Sequence, residues 1–415
     1  MRQRDLTMSP HKITLVARIL GTCIAAGLIL PGLSGFMAEE PALSGPGRAD
    51  YAPWWDYSWL YRMPLILDNT ANAKALADHQ VLLNFSGQEL IDAGKMRADR
   101  GDMRFADTDG VTPLRYWEET EGNIWLKVPS IPASSKKTIY FYYGNPSAAS
   151  ASNGSQTFEV FDQFDGNSID TSKWQLMHAG TYSVANGLFT IAADGSYQPG
   201  KAIAITASQE NNIVLRSKLK ITGGTHVDER IGLSINCGRG DGRGYNYVLR
   251  DFTGLDEISF LDDFVTWNSR AGNWQKNTWY VEEICHDGSG VRGRLNDGAW
   301  QSQAWSGRSG YPALYYGSYD GVSVWDWALV RKYTSPDPKL TFGPEEHPIK
   351  FIGADCSHEQ ANEGDVITLN ITFNNPTNDP IAINITFWQG EDFAEAARIG
   401  DTHEVVLEPN RNTLT

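Results

Sequence analysis

Ile139-Tyr140-Phe141-Tyr142-Tyr143-Gly144-Asn145 sets the reading of the whole chain. In an extended chain successive side chains point to opposite faces, so Ile139, Phe141 and Tyr143 share one face and Tyr140 and Tyr142 the other. A strand is therefore predicted over 138–143. Working outward, the runs 61–69, 81–85, 114–117 and 123–128 are apolar or alternating and are separated by Gly, Asp, Pro and Ser clusters. Only residues 88–96 look helical, for barely two turns. Asn145-Pro146 closes this block, and the small residues of 147–155 (SAASASNGS) read as a linker.

Beyond the linker the same strand character continues to about Gly343. Turn dipeptides recur as Asp165-Gly166, Asn186-Gly187, Asp194-Gly195, Asp241-Gly242, Asp287-Gly288 and Asp297-Gly298. Such pairs tolerate the positive φ angles that tight hairpins require. Strands predicted over 212–221, 230–236, 279–285 and 322–331 indicate a two-sheet sandwich. A Pro-rich hinge follows, with Pro336, Pro338, Pro344 and Pro348. A last block shows strands over 365–373, 381–387 and 404–407 and stops before the strands that would complete a sandwich, as a fragment would. The expected fold class is all-β: antiparallel β-sandwich domains in series, after an N-terminal signal or anchor helix. The expected bounds are 1–38 for the signal, 50–146, 156–345 and 349–415.

The N-terminus carries Arg2, Arg4, His11, Lys12 and Arg18, then twelve uncharged residues, Ile19 to Leu30, closed by Pro31-Gly32. Twelve is short for a bilayer span, which needs about twenty, and fits the apolar core of a signal peptide. Cleavage between Gly35 and Glu40 would give a secreted or cell-surface protein. An uncleaved anchor is the alternative, and would be its only membrane contact. With 35 basic against 50 acidic residues, a net −15, the chain lacks the cationic surplus that nucleic acid requires. The four cysteines include no C-x-x-C pair, which excludes a zinc ribbon or thioredoxin-type site. Cys237 and Cys285 are either a disulfide of the middle block or two buried thiols.

Three family resemblances cover nearly all of the chain past its signal. Trp54-Trp55, Tyr57-Ser58-Trp59, Tyr61-Arg62, Arg104-Phe105, Pro113 to Glu118, Ile124 to Pro129 and Ile139 to Asn145 resemble domain of unknown function 2341, found in exported archaeal and bacterial surface proteins. Phe161-Asp162-Gln163-Phe164-Asp165-Gly166, Lys173-Trp174, Thr278 to Val281 and Trp325 to Tyr333 resemble a laminin-G-like, concanavalin-type jelly roll. Glu363 to Leu369 and Phe373-Asn374-Asn375 are similar to the cell-adhesion-related, immunoglobulin-like domain of bacteria and archaea.

The jelly-roll resemblance raises glycoside hydrolysis, which needs two carboxylates flanking the scissile bond. The nearest stretch, Asp256 to Asp263, fails: Glu257 is followed on its face by Ser259 and Leu261. No G-x-S-x-G elbow or phosphate-binding loop is present. The expectation is thus a non-catalytic protein that binds a surface glycan or an envelope protein. A structural envelope component without a small ligand is the alternative, and a glycosidase comes third. Flat aromatic faces stack on sugars, and Trp267 and Trp274, among polar neighbours, are the candidate platforms, with Tyr245. Trp279, inside an apolar strand, is expected in the core. Asn84, Asn153, Asn370 and Asn384 begin N-x-S/T glycosylation sequons, Asn153 standing out by its linker position.

Asp326 falls by parity among Val322, Val324, Ala328 and Val330, where an unpaired carboxylate would be costly. The jelly-roll resemblance implies that first and last strands adjoin, where a structural Ca²⁺ could sit. Asp165 and Asp326 are its expected ligands, and otherwise Asp326 takes backbone amides or an Arg.

Overall fold

The computed structural model describes backbone and side chains for residues 53–120, 122–177, 180–192, 200–207, 212–224, 228–251, 256–262, 268–317 and 320–348. For 11–20, 23–29, 252, 255, 266–267, 350–356, 369–374, 381–389, 397–407 and 413–414 it describes backbone alone. The chain is nearly all β, with 54% strand and 3% helix.

The first sandwich is built around the strand Lys136–Tyr143, which pairs antiparallel with Tyr61–Asp68 and with Arg104–Ala106. Its two faces serve different purposes. Ile139, Phe141 and Tyr143 enter a core with Leu65, Leu67 and Phe105, closed by Val81, Ile124, Leu126 and Val128 of the facing sheet. That sheet has the order Leu76–Asn84, Asn123–Ile131, Arg115–Thr120. Tyr140 and Tyr142 turn outward, where Trp54, Trp55 and Trp59 cover them. Arg62 sits among these rings, its guanidinium 4.7 Å from the Trp54 centroid and 4.5 Å from that of Tyr140.

The jelly roll consists of a seven-stranded and an eight-stranded antiparallel sheet packed face to face. Asn186 and Gly187 both have positive φ, 54° and 73°, and turn the hairpin Thr181–Ala185/Leu188–Ala192, as that dipeptide predicts. Between the sheets lie Trp174, Trp274, Trp325, Tyr245, Tyr247 and Phe189, with aliphatic side chains from both sides. The long strand Gly321–Lys332 runs between Leu188–Ala192 and Ile213–Gly223, and Val160–Asp162 also pairs with it.

The two sandwiches interlock. Past the jelly roll, the segment expected to be a hinge carries the strand Lys339–Phe342, which pairs with Tyr61–Asp68 and so extends the first sandwich. The linker also packs inward: Ala148 is buried, Arg104 Nη2 donates to the Ala149 carbonyl at 2.7 Å, and the Glu118 amide donates to Ser152 Oγ at 3.0 Å. Trp117 and Trp125 meet Phe158, Phe161, Trp327 and Leu329 in one apolar cluster across the junction. Beside it, Arg216 of the jelly roll binds Glu119 of the first sandwich, both side chains 1% exposed. Gln80 links three segments, donating to the Thr157 carbonyl at 2.9 Å and accepting from the Lys332 amide at 3.0 Å.

Glu283 completes this buried charge cluster, with Arg216 Nη1 3.3 Å and Arg331 Nη2 3.4 Å from its carboxylate. Burial works to raise the Glu283 pKa, but Arg331, Arg216 and Arg294 hold it down at about 2, against 4.5 for an unperturbed Glu. A depressed folded-state pKa contributes stability that is present above the unfolded value and is lost as pH falls toward the folded one. Urea midpoints should therefore fall as pH drops from 4.5 toward about 2. Glu283→Gln should be less stable at neutral pH and show a flatter acid profile. An identical acid profile in both proteins would contradict this.

In the third block the strands are Lys350–Cys356, Leu369–Asn374, Ile381–Gln389, Ala397–Leu407 and Thr413–Leu414. The described backbone of the N-terminal segment, His11–Leu20 and Cys23–Ile29, is an extended hairpin paired with Ile381–Gln389. Among the described residues no helix is long and apolar enough to cross a membrane.

Candidate ligand-binding face

The aromatics expected to bind ligand belong mostly to the core. Tyr245 opens the strand Tyr245–Phe252, whose inward positions continue as Tyr247 and Leu249. It is 2% exposed, and its hydroxyl donates to the Ser306 carbonyl at 2.6 Å. Trp274 is 1% exposed, with Nε1 donating to the Glu257 carbonyl at 2.8 Å. The polar neighbours that suggested exposure are themselves exposed, while the indole dips between the sheets. Trp267 lies opposite Leu261 in the strand Thr266–Ala271, and its side chain is outside the described residues.

Asp326 does not lie on an apolar face. A β-bulge leaves it unpaired: Lys218 faces Trp327 and Leu219 faces Trp325, so the parity of the strand changes there. Trp325 enters the core. Asp326 turns outward, and Lys218 Nζ lies 2.5 Å from Asp326 Oδ2. The premise of the calcium site, a buried carboxylate in need of a partner, is thereby corrected. Asp165 lines a cleft of about 320 Å³ with Asp162, Phe164, Ser168, Asp170 and Lys173. There Asp162 accepts from the Phe164 amide at 2.9 Å and from Trp174 Nε1 at 2.8 Å, which ties the two sequence motifs at the start of the jelly roll together. Among the described residues no three His, Cys, Asp or Glu side chains are grouped to hold a metal ion.

Cys237 and Cys285 are free and buried. They pack in separate clusters on different sheets, Cys237 with Ile203 and Ala313 and Cys285 with Val214 and Tyr333, as two buried thiols. Asn153 is exposed, but its Oδ1 caps a short helix by accepting from the Gln156 amide at 3.1 Å. Asn84 is exposed at the end of Leu76–Asn84. The side chains of Asn370 and Asn384 are outside the described residues.

Each jelly-roll sheet has an outer face. On the seven-stranded sheet the register aligns Arg230, Arg250 and Glu257 in one row and Ser234, Asn246 and Leu261 in another. Asp228 accepts from Arg230 Nε at 2.9 Å and Arg250 Nε at 2.7 Å, and Glu257 accepts from Arg250 Nη1 at 3.3 Å. Most of these side chains are buried. A further carboxyl, Glu229, is pushed up to about 8 by burial and by Asp320. It alternates with Asp228 and Arg230, points inward and is 0% exposed.

The outer face of the eight-stranded sheet is divided. The first sandwich covers Arg216, Trp327 and Leu329. The other part is a flat, half-exposed shelf on which the register aligns Lys220, Val324, Thr190 and Ser183, and beside them Thr222, Val322, Ala192 and Thr181. Trp279 stands at its edge. It has the parity of outward-facing Val281 and is half-buried, not in the core as expected. Lys220 Nζ lies 4.4 Å and Lys218 Nζ 5.1 Å from the Trp279 ring centroid. A signal for this site was present in the sequence: Lys218 and Lys220 alternate with the core residues Leu219 and Ile221. Strand, bulge and register thus bring a Trp face, two ammonium groups, a carboxylate and a rank of hydroxyls onto one surface.

These features define an interlocked pair of β-sandwiches that presents a polar, aromatic-edged sheet face. The family model for a domain of unknown function (DUF2341) matches residues 99–177, which span the junction between the sandwiches. No curated protein matches the chain. Among solved structures, it is similar to a β-1,3-glucanase from Mycobacterium marinum, at 16% identity over 42% of this chain and 98% of that one, with a TM-score of 0.33. It is also similar to an immunostimulatory antigen and pseudo β-1,3-glucanase of Mycobacterium tuberculosis (15% identity, 44% and 100% covered, TM-score 0.34). A third is the CBM2 module of Lactobacillus casei BL23 phage J-1 evolved Dit (13% identity, 42% and 94% covered, TM-score 0.33). Each likeness spans less than half of this chain and speaks to neither substrate nor reaction.

Proposed function

We propose that this is an exported, non-catalytic carbohydrate-binding protein that holds saccharide on the free shelf of its eight-stranded sheet. The observation that carries this reading is the placement of Trp279. It is a half-buried indole at the edge of a flat face that also offers Thr181, Ser183, Thr190 and Thr222. An aromatic face stacks on the C–H face of a sugar, and neighbouring hydroxyls and charges take its hydroxyl groups. Export rests on the uncharged run Ile19 to Leu30 behind a basic N-terminus. Hydrolysis is disfavoured because it needs one carboxyl poised as acid and another free as nucleophile or base. On the outer faces Asp228 and Glu257 are held by arginines and Asp326 by Lys218.

A glycan array probed with the whole chain, followed by calorimetry on its best neutral or acidic oligosaccharide, tests the reading. Trp279→Ala should weaken binding at least tenfold, about 1.4 kcal/mol, and move the melting temperature by no more than a few degrees. Trp274→Ala is the contrasting control: truncating a buried Trp costs about 3–5 kcal/mol of stability. Saccharide binding that ignores Trp279 would overturn the placement of the site. No binding to any sugar would favour the second reading, a structural envelope component, which the rigid interlock of the sandwiches supports.

A further inference from the structure

We infer that the saccharide taken by this shelf is acidic, a uronate-bearing oligosaccharide, an inference that rests on the reading of Trp279 as its platform. Among the described residues, the charged groups around Trp279 on the shelf are Lys218, Lys220 and Asp326. Lys218 and Asp326 form an ion pair at 2.5 Å and neutralise one another. Lys220 is different. Among the described residues no carboxylate lies within ion-pair distance of its ammonium group, which rests instead 4.4 Å from the Trp279 centroid. This is notable in a chain with 50 acidic and 35 basic residues, where carboxylates are plentiful.

The rows leading away from Lys220 are Val324, Thr190 and Ser183, then Thr222, Val322, Ala192 and Thr181. They are neutral, so they neither satisfy the cation nor repel an anion that approaches along the shelf. A half-buried ammonium beside an indole favours a ligand that carries a carboxylate and a C–H face on one ring. The carboxylate takes charge-assisted hydrogen bonds from Lys220, and the C–H face lies against Trp279. The protein's net negative charge does not prevent this, because at physiological ionic strength fields fade over about 8 Å and local groups dominate. The bulge at Asp326 has a part here too. By turning Asp326 onto Lys218 it leaves Lys220, among the described residues, with the Trp279 ring and no carboxylate, a re-aiming that bulges beside binding sites commonly perform.

The test uses the whole chain and calorimetry with an oligogalacturonate, the same oligomer fully methyl-esterified, and a neutral gluco-oligosaccharide. The acid should bind at least about tenfold more tightly than its ester, a ratio that shrinks as salt rises. Lys220→Gln should bring the acid down to the level of the ester, and Lys220→Arg should restore the preference. A melting curve for each variant separates lost binding from lost folding. If ester and acid bind equally, or if Lys220→Gln retains the acid preference, the charge inference is overturned. In that event, Trp279-dependent binding of the neutral sugars would leave the platform itself standing. If none of the three sugars binds in a Trp279-dependent way, the platform reading fails and the inference fails with it.

Discussion

Glu119→Ala is expected to destabilise the folded chain by about 3–5 kcal/mol, the range for removing one partner of a buried ion pair. Glu119 Oε2 accepts from Arg216 Nε at 3.0 Å and from Trp125 Nε1 at 2.8 Å, while its Oε1 accepts from Arg216 Nη2 at 2.8 Å. Truncation leaves an indole N–H and one edge of a guanidinium without their acceptor. Arg216 would keep Asp297, at 2.7 Å from Nη1, and Glu283, so the loss should fall at the lower end of that range. Glu119→Gln retains shape and one acceptor and should cost less. The loss falls at the contact between the sandwiches, so equilibrium urea unfolding of Glu119→Ala should also show the two losing their common transition. A cost under about 1 kcal/mol would place the pair among contacts that desolvation cancels.

The second large effect concerns the returning strand. A chain ending after Asp337 should retain a folded jelly roll and lose most of the stability of the first sandwich. Removing Lys339–Phe342 opens the edge of Tyr61–Asp68 and uncovers Phe85 and Phe141, on which Phe342 packs. It also removes Glu346, whose Oε2 lies 2.5 Å from Arg62 Nε, a guanidinium buried at 4% side-chain exposure. Glu345 goes as well, and with it the acceptor of Tyr143 Oη and the partner of Lys95 at 2.7 Å. Limited proteolysis should then cut within 53–146 well before it cuts within 200–332. Trp327→Ala approaches the same junction from the other side and should cost about 3–5 kcal/mol, because Trp327 packs against Trp117 in the buried cluster. A truncated chain that melts as the full chain does would show that the return strand is dispensable.

How far the site was legible depends on how far parity reaches along a strand. Parity sorted Ile139, Phe141 and Tyr143 from Tyr140 and Tyr142, and the structure sends the two sets to different clusters. It misplaced Asp326 because a bulge adds one residue to one strand alone, and nothing in Val322 to Val330 announces where. The polarity of neighbours, a separate signal, misplaced Trp274 and Trp279, because it does not say which way an indole turns at a strand end. Tyr245, named with Trp274 as a binding candidate, is covered instead by Trp305, which stacks on it from sixty residues away, at 5.8 Å.

The amino-acid sequence by itself determined that this chain is all-β, since alternation and positive-φ turn residues are local properties that survive in any context. Only the tertiary structure decided that the supposed hinge returns to complete the first sandwich, and that the linker is packed. It alone decided that an Arg and a Glu 97 residues apart share a dry junction. Pairings of that kind depend on which edges and faces remain uncovered once both sheets exist, a quantity that belongs to the assembled surface and to no single segment. The same holds for the shelf: Lys220 and Trp279 become one site because the register of Ile213–Gly223 against Tyr280–His286 sets them side by side.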